Sequence, residues 1–163
     1  MEYPNLRKIY ESMEQKVLLL IILPLPVFGF VYLYSQRRLF EINLPELSSW
    51  WESFLLGMLT ILLLFQWYFI RTAIKDILNQ DLSLEERMVA YGQKTLLRFW
   101  ILFASAILSA AGLLLFDHAI FTVTFAITLV MLSIAKPSPH RVVRILKLKG
   151  EEKEAVMDLR RKG

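Results

Sequence analysis

The chain has 163 residues, of which 56% are hydrophobic and 13% aromatic, and its mean hydropathy is +0.47. The apolar residues exceed the usual share of a soluble domain and lie in blocks, which is typical of membrane spans. The absence of cysteine excludes disulfides, thiolate metal sites and cysteine nucleophiles. The net charge of +4 is mild, and the basic residues flank the apolar blocks. We therefore interpret them as setting membrane orientation, not as binding nucleic acid.

The first apolar block, at about 17–35, follows a polar segment whose apolar residues recur at helical spacing: Leu6, Ile9, Tyr10, Met13 and Val17. We expect a short helix that lies on the membrane surface and continues into the first span. Pro24 and Pro26 should kink this span, because each removes a backbone donor. A packing kink is the expected reason for them. A solute site lined by freed backbone groups is the alternative.

A second span is expected at about 50–71, with aromatic residues marking its two interfaces: Trp50, Trp51, Trp67 and Tyr68. Ser49 and Glu52 have the spacing of a capping box and predict its start. The helix can continue beyond Arg71 to about Leu78, where a polar turn leads to Ser83.

The third helix is the longest uninterrupted stretch of the chain. Ser83 and Glu86 form a second capping-box pattern, and no proline follows before Asp117, so we predict a helix from Leu84 to Phe116. Its length is about 50 Å, whereas the bilayer core is about 30 Å thick. We therefore place the span at about 96–116 and predict that residues 72–95 form a helical hairpin in water.

A fourth span is expected at about 118–135, with Asp117 as its N-cap. Its sequence alternates with a period of two in part, but its continuous apolarity favours a helix. The sequence thus predicts an all-α polytopic membrane protein, with residues 1–136 forming an antiparallel bundle of four transmembrane helices. The second and third helices are expected to extend into the cytoplasm.

Of the 19 Lys and Arg residues, all but Arg37 and Arg38 fall on the side of the termini and the hairpin. The positive-inside rule therefore predicts that both termini are cytoplasmic, and we expect the membrane to be a plasma (inner) membrane. The loop around residues 37–49, with its several apolar residues, is expected to rest on the outer interface.

Residues 137–163 form a basic cytoplasmic tail, with a helix start at Ser138 and Pro139 and a break at Gly150. Its first part mixes apolar residues with four cations: Arg141, Arg144, Lys147 and Lys149. Such a segment suits contact with anionic lipid. Docking against the hairpin fits equally well, and a dedicated protein partner is a further alternative.

Polar residues within or near the spans are the remaining candidates for function. Gln66 is expected to face a neighbouring helix, and Arg71 to reach headgroups. For Arg98 we expect snorkelling, with a buried pair or a lipid-phosphate contact as the alternative. Ser105 and Ser109 belong to a small-residue face that suits packing within the bundle or contact in a homo-oligomer.

No motif indicates catalysis, and neither His118 nor His140 has the neighbours that a metal site needs, so we expect no enzyme and no cofactor. The leading hypothesis is a non-catalytic scaffold, assembly factor or accessory subunit. An oligomeric transporter or channel for a neutral or lipid-like solute is the main alternative. A lipid-modifying enzyme with a headgroup site near Arg71 and Arg98 is a third.

Overall fold

The computed structural model describes residues 4–37 and 47–158. Every regular element in these ranges is an α-helix, which confirms the predicted all-α class. The helices are α1 (Pro4–Ile22), α2 (Pro24–Arg37), α3 (Ser49–Leu78), α4 (Leu84–Phe116), α5 (Ala119–Ala135), α6 (Pro139–Ile145) and α7 (Gly150–Asp158). Most of the expected outer loop, at 38–46, and the last part of the tail, at 159–163, lie outside the described residues.

The start of α4 carries the predicted capping box. The Glu86 backbone N–H donates to Ser83 Oγ at 3.4 Å, and the Ser83 backbone N–H donates to the Glu86 carboxylate at 2.9 Å. Two amide groups that have no intrahelical partner are thereby satisfied. The Ser83 hydroxyl also donates to the Glu86 carboxylate, at 2.8 Å, and this bond, followed by the one from the Ser83 backbone N–H, holds the pKa of Glu86 below its ordinary value. The predicted bounds of this helix, Leu84 and Phe116, are confirmed.

The capping box predicted at the start of α3 is wrong. Ser48 is the N-cap, and its side chain makes no capping hydrogen bond. Glu52 instead lies 3.3 Å from His118 Nδ1, at the α4–α5 turn. The carboxylate thus contacts a residue distant in the sequence, and the spacing of Ser49 and Glu52 cannot predict such a contact.

The predicted role of Asp117 as a cap of α5 is also wrong. Asp117 ends α4 with a left-handed backbone (φ 48°), and its carboxylate accepts a hydrogen bond from the Ser35 hydroxyl. Its side chain therefore ties the end of α2 to the α4–α5 turn. His118 is the N-cap of α5 and caps without a side-chain hydrogen bond.

The N-terminal segment does not lie on a surface as expected. It forms the first half of α1, and its apolar stripe is packed inside the protein, with Leu6 only 1% and Val17 0% exposed. A short break at Leu23 separates α1 from α2, immediately before Pro24. The Leu23 N–H still donates to Leu19 O at 3.0 Å, so the helical path is nearly continuous.

Helix α4 is the centre of the structure, because it packs against α1, α2, α3 and α5. Two apolar clusters lie along it. The first, here called the stem cluster, joins α1, α3, α4, the end of α5 and the tail, and includes Leu6, Tyr10, Ile77, Met88, Leu132, Val142, Leu146 and Val156. The second, here called the far cluster, includes Phe28, Val31, Leu59, Leu113, Phe121 and Phe125. The tail is thus part of the packed structure.

Three continuous helical stretches are long and apolar enough to cross a membrane: Asn5–Gln36, Ser49–Leu78 and Leu84–Phe116. A fourth is present if α5 and α6, which meet at 82°, are counted as one span. Large apolar side chains cover the outward faces, and Ile61 and Leu64 on α3 are 67% and 65% exposed. Such a surface is typical of contact with lipid.

The small-residue face of α4 is buried inside the chain itself. Ser105 and Ser109 are both 0% exposed, and their hydroxyls donate to Ile101 O and Ser105 O within the helix. At Gly112 the Phe121 ring occupies the place of a side chain, with two ring carbons 2.3 Å from an ideal Cβ position. These small residues let α5 approach α4 closely.

Candidate functional site

A pocket of about 240 Å³ lies where α3, α4 and α6 meet beside the end of α5. Three arginines from three different helices line it: Arg71 from α3, Arg98 from α4 and Arg141 from α6. The remaining walls are aromatic, hydroxyl-bearing and apolar, and include Trp67, Tyr91 and Thr95. Among the residues that the structure describes, no acidic side chain lines the pocket.

Arg98 is held in place by Gln66. Its Nε–H donates to Gln66 Oε1 at 2.7 Å, and Gln66 Nε2 lies 3.4 Å from Met131 Sδ. Gln66 is only 1% exposed, so its amide has no access to water and its hydrogen bonds depend on these neighbours. The bond leaves the two terminal nitrogens of the half-buried guanidinium group beside the pocket.

Arg71 is oriented by an aromatic ring. Its guanidinium carbon lies 3.7 Å from the centroid of the Trp67 ring, one helical turn earlier. This distance is well within the range of a cation–π contact, which favours a charged group lying over the ring face. The stacking directs Arg71 along the wall of the pocket.

Arg141 reaches the pocket because α6 turns across the end of α5. Ser138 is the N-cap of α6, and its hydroxyl accepts a hydrogen bond from the Arg141 backbone N–H at 3.4 Å. Val142, which follows, is 0% exposed and anchors the helix in the stem cluster. Arg141 and Arg98 lie close enough for their charges to repel each other.

The hydroxyl groups of the pocket supply no negative charge. Tyr91 is 3% exposed, and burial raises its pKa, although Thr95, Arg141 and Arg98 act in the opposite direction. Its phenol is therefore neutral at physiological pH. Within residues 4–37 and 47–158, no carboxylate forms an ion pair with Arg71, Arg98 or Arg141. The three positive charges are thus uncompensated by side chains of this part of the chain.

The pocket has the chemistry of an anion site. Guanidinium groups present planar forks of donors that match the oxygens of phosphate or carboxylate. No group of three or more His, Cys, Asp or Glu residues that suits a metal ion occurs among the described residues.

The structure separates the predicted site residues into two groups. Arg71, Arg98 and Arg141 line the pocket, and Gln66 is connected to it through its hydrogen bond with Arg98. The others lie elsewhere. Pro24 is buried and Pro26 exposed on α2, and Ser105 and Ser109 are buried on α4. Arg144, Lys147 and Lys149 are exposed on the tail.

Sequence reasoning missed Tyr91 and Thr95 as parts of the site. A signal was present, because Tyr91, Thr95 and Arg98 lie four and three residues apart and so share one face of α4. The contribution of Arg141 depends on the bend after α5, for which the sequence carries no comparable signal.

No protein-family model matches the chain, and neither a curated protein nor a solved structure shows significant similarity to it.

Proposed function

We propose that this protein is an integral membrane protein whose four apolar helices cross a plasma (inner) membrane as an antiparallel bundle with both termini in the cytoplasm. The three long apolar helices support three of the spans, and the continuous apolarity of α5 supports the fourth, with α6 lying beyond its cytoplasmic end. The distribution of Lys and Arg supports the orientation. In this arrangement, the first half of α1, the α3–α4 hairpin and the tail form a cytoplasmic stem.

Its proposed role is that of a non-catalytic scaffold, assembly factor or accessory subunit. The observation that carries this proposal is the stem cluster, in which residues from α1, α3, α4, α6 and α7 share one apolar core. A tail that is packed in this way offers a preformed surface to a partner, because little ordering entropy is lost on binding. The exposed cations Arg144, Lys147 and Lys149 favour an acidic protein surface or anionic headgroups beside it.

Purification of the tagged full-length chain in mild detergent tests this role. We expect one partner at fixed stoichiometry, lost when Lys147 and Lys149 are both changed to Glu. Lys75→Glu, a charge reversal at an exposed position on α3, is the matched control and should retain the partner. Recovery of the chain alone, or equal loss from the control, would contradict the proposal. A second copy of the chain as the recovered partner would assign a homo-oligomer.

Transport of a neutral or lipid-like solute by an oligomer is the alternative function. The threonines of α5 lend it little support, because the Thr124 and Thr128 hydroxyls donate to carbonyls of their own helix. Solute flux in liposomes that is abolished by Pro24→Ala and Pro26→Ala without unfolding would favour transport over the scaffold role.

A further inference from the structure

The arginine pocket concentrates positive charge that the described side chains leave unbalanced. Arg71, Arg98 and Arg141 converge from three helices on one cavity, and no carboxylate from residues 4–37 or 47–158 lines it. Bringing like charges together in a partly buried site is unfavourable unless an anion accompanies them. Packing of the α6 segment does not require Arg141, since Val142 and Leu146 anchor this segment.

Two of the guanidinium groups are also oriented in advance, and the backbone that carries the third is fixed. Gln66 holds Arg98 through Nε, the Trp67 ring holds Arg71, and the capped start of α6 holds the backbone of Arg141. Pre-positioned donors lose little side-chain freedom when a ligand binds, so more of the interaction remains as affinity. The hydroxyls of Tyr91 and Thr95 add neutral polar groups to the same cavity.

The size and position of the pocket limit the kinds of ligand that it can bind. A volume of about 240 Å³ corresponds to the liquid volume of roughly eight water molecules. This accommodates a phosphate group with a few attached atoms or waters. Trp67 lies in the wall, and tryptophan is enriched at the headgroup level of membranes.

We infer that this pocket binds the phosphate group of an anionic ligand, supplied by a headgroup of the inner leaflet or by free phosphate. Arg71, Arg98 and Arg141 are the charged donors, and Gln66 is a positioning residue that acts through Arg98. The binding chemistry is independent of the scaffold role. The lipid source alone depends on the proposed placement of the helices in the bilayer.

Thermal unfolding of the purified full-length chain tests this inference with two ligands. The first is inorganic phosphate added in detergent, and the second is phosphatidic acid in phosphatidylcholine nanodiscs, compared with phosphatidylcholine alone. We expect the unfolding temperature to rise with at least one of them. Stabilisation by phosphatidic acid alone assigns the lipid source, and stabilisation by inorganic phosphate assigns the free anion; either result supports the site.

Charge-removing variants locate the effect. Arg98→Gln and Arg141→Gln lie on different helices, and each should weaken the apparent affinity about ten-fold or more, as expected for loss of a charge-assisted hydrogen bond. Arg144→Gln removes the same charge from an exposed position on α6 and is the matched control. If Arg98→Gln fails to fold, Arg141→Gln still decides the question.

Two results would overturn the inference. One is the absence of any stabilisation of the wild-type chain by either ligand. The other is equal stabilisation of the Arg141→Gln and Arg144→Gln variants, which would indicate general attraction to surface charge. A failed partner purification together with intact phosphate binding would refute the scaffold role and leave the pocket assignment standing.

Discussion

The contact between Gly112 and Phe121 gives the sharpest test of how α4 and α5 pack. A methyl group at residue 112 would lie 2.3 Å from two carbons of the Phe121 ring and 2.9 Å from a third, whereas ordinary contacts begin near 3.4 Å. The ring would have to move by about 1 Å, yet Phe121 is 0% exposed and stacks on Phe116 at 5.8 Å between centroids. We expect Gly112→Ala to cost about 1–3 kcal/mol from overpacking.

The matched control is Gly57→Ala on α3, where an added Cβ meets nothing within 4 Å. Alanine should gain about 1 kcal/mol of helix propensity at both positions, so comparing the two variants removes that contribution. Thermal unfolding in detergent, followed by circular dichroism, measures the difference. Phe121→Leu in the Gly112→Ala background should recover part of the loss, because the smaller side chain vacates the contact. Equal stability of the two alanine variants, or strictly additive effects in the double variant, would refute the packing described here.

Three further outcomes are expected from the stem. Ser83→Ala should destabilise the chain by about 1 kcal/mol through loss of the cap, whereas Ser48→Ala, at a cap that makes no side-chain hydrogen bond, should be nearly neutral in the same unfolding assay. The pKa of Glu86 is lowered in the folded chain, so its carboxylate stabilises the fold at pH values above its ordinary pKa near 4.5, and this stabilisation is lost as the pH falls through the folded pKa. Unfolding curves of Glu86→Gln and wild type should therefore converge in acid. Leu146→Ala, at a residue 1% exposed, should cost about 2–5 kcal/mol and make the tail sensitive to proteolysis, while Lys147→Ala at the surface should leave the digestion pattern unchanged.

Features that depend on neighbouring residues were predictable from the sequence. The start of α4 at Leu84 follows from hydrogen bonds between Ser83 and Glu86, which are three residues apart. The end of α3 at Leu78 and the helical state of α5 likewise follow from a polar turn and from continuous apolarity. The capping box predicted at Ser49 does not form, because α3 begins one residue earlier with Ser48 as its N-cap, and the Glu52 carboxylate lies 3.3 Å from His118 Nδ1, which is distant in the sequence.

Half of the candidate site could be predicted in the same way. Gln66, Arg71 and Arg98 are conspicuous because polar residues near spans are costly unless they find a partner. Their convergence depends on the crossing of α3 and α4. The position of Arg141 in the wall of the pocket depends on the bend of 82° between α5 and α6. The sequence pattern placed Arg141 among four tail cations expected at the surface. In the structure only the other three, Arg144, Lys147 and Lys149, are exposed.

By itself, the sequence determined the helical class, most helix boundaries and the apolar segments, because these arise from hydrogen bonds and hydropathy within a few residues. Only the tertiary structure decided that the stripe from Leu6 to Val17 faces α4, that the tail joins the stem cluster and that three arginines share one pocket. The physical reason is that an apolar stripe must be removed from water and a long cation attracts negative charge, and both requirements can be read from the sequence. The residues that meet them are determined by the packing of distant helices.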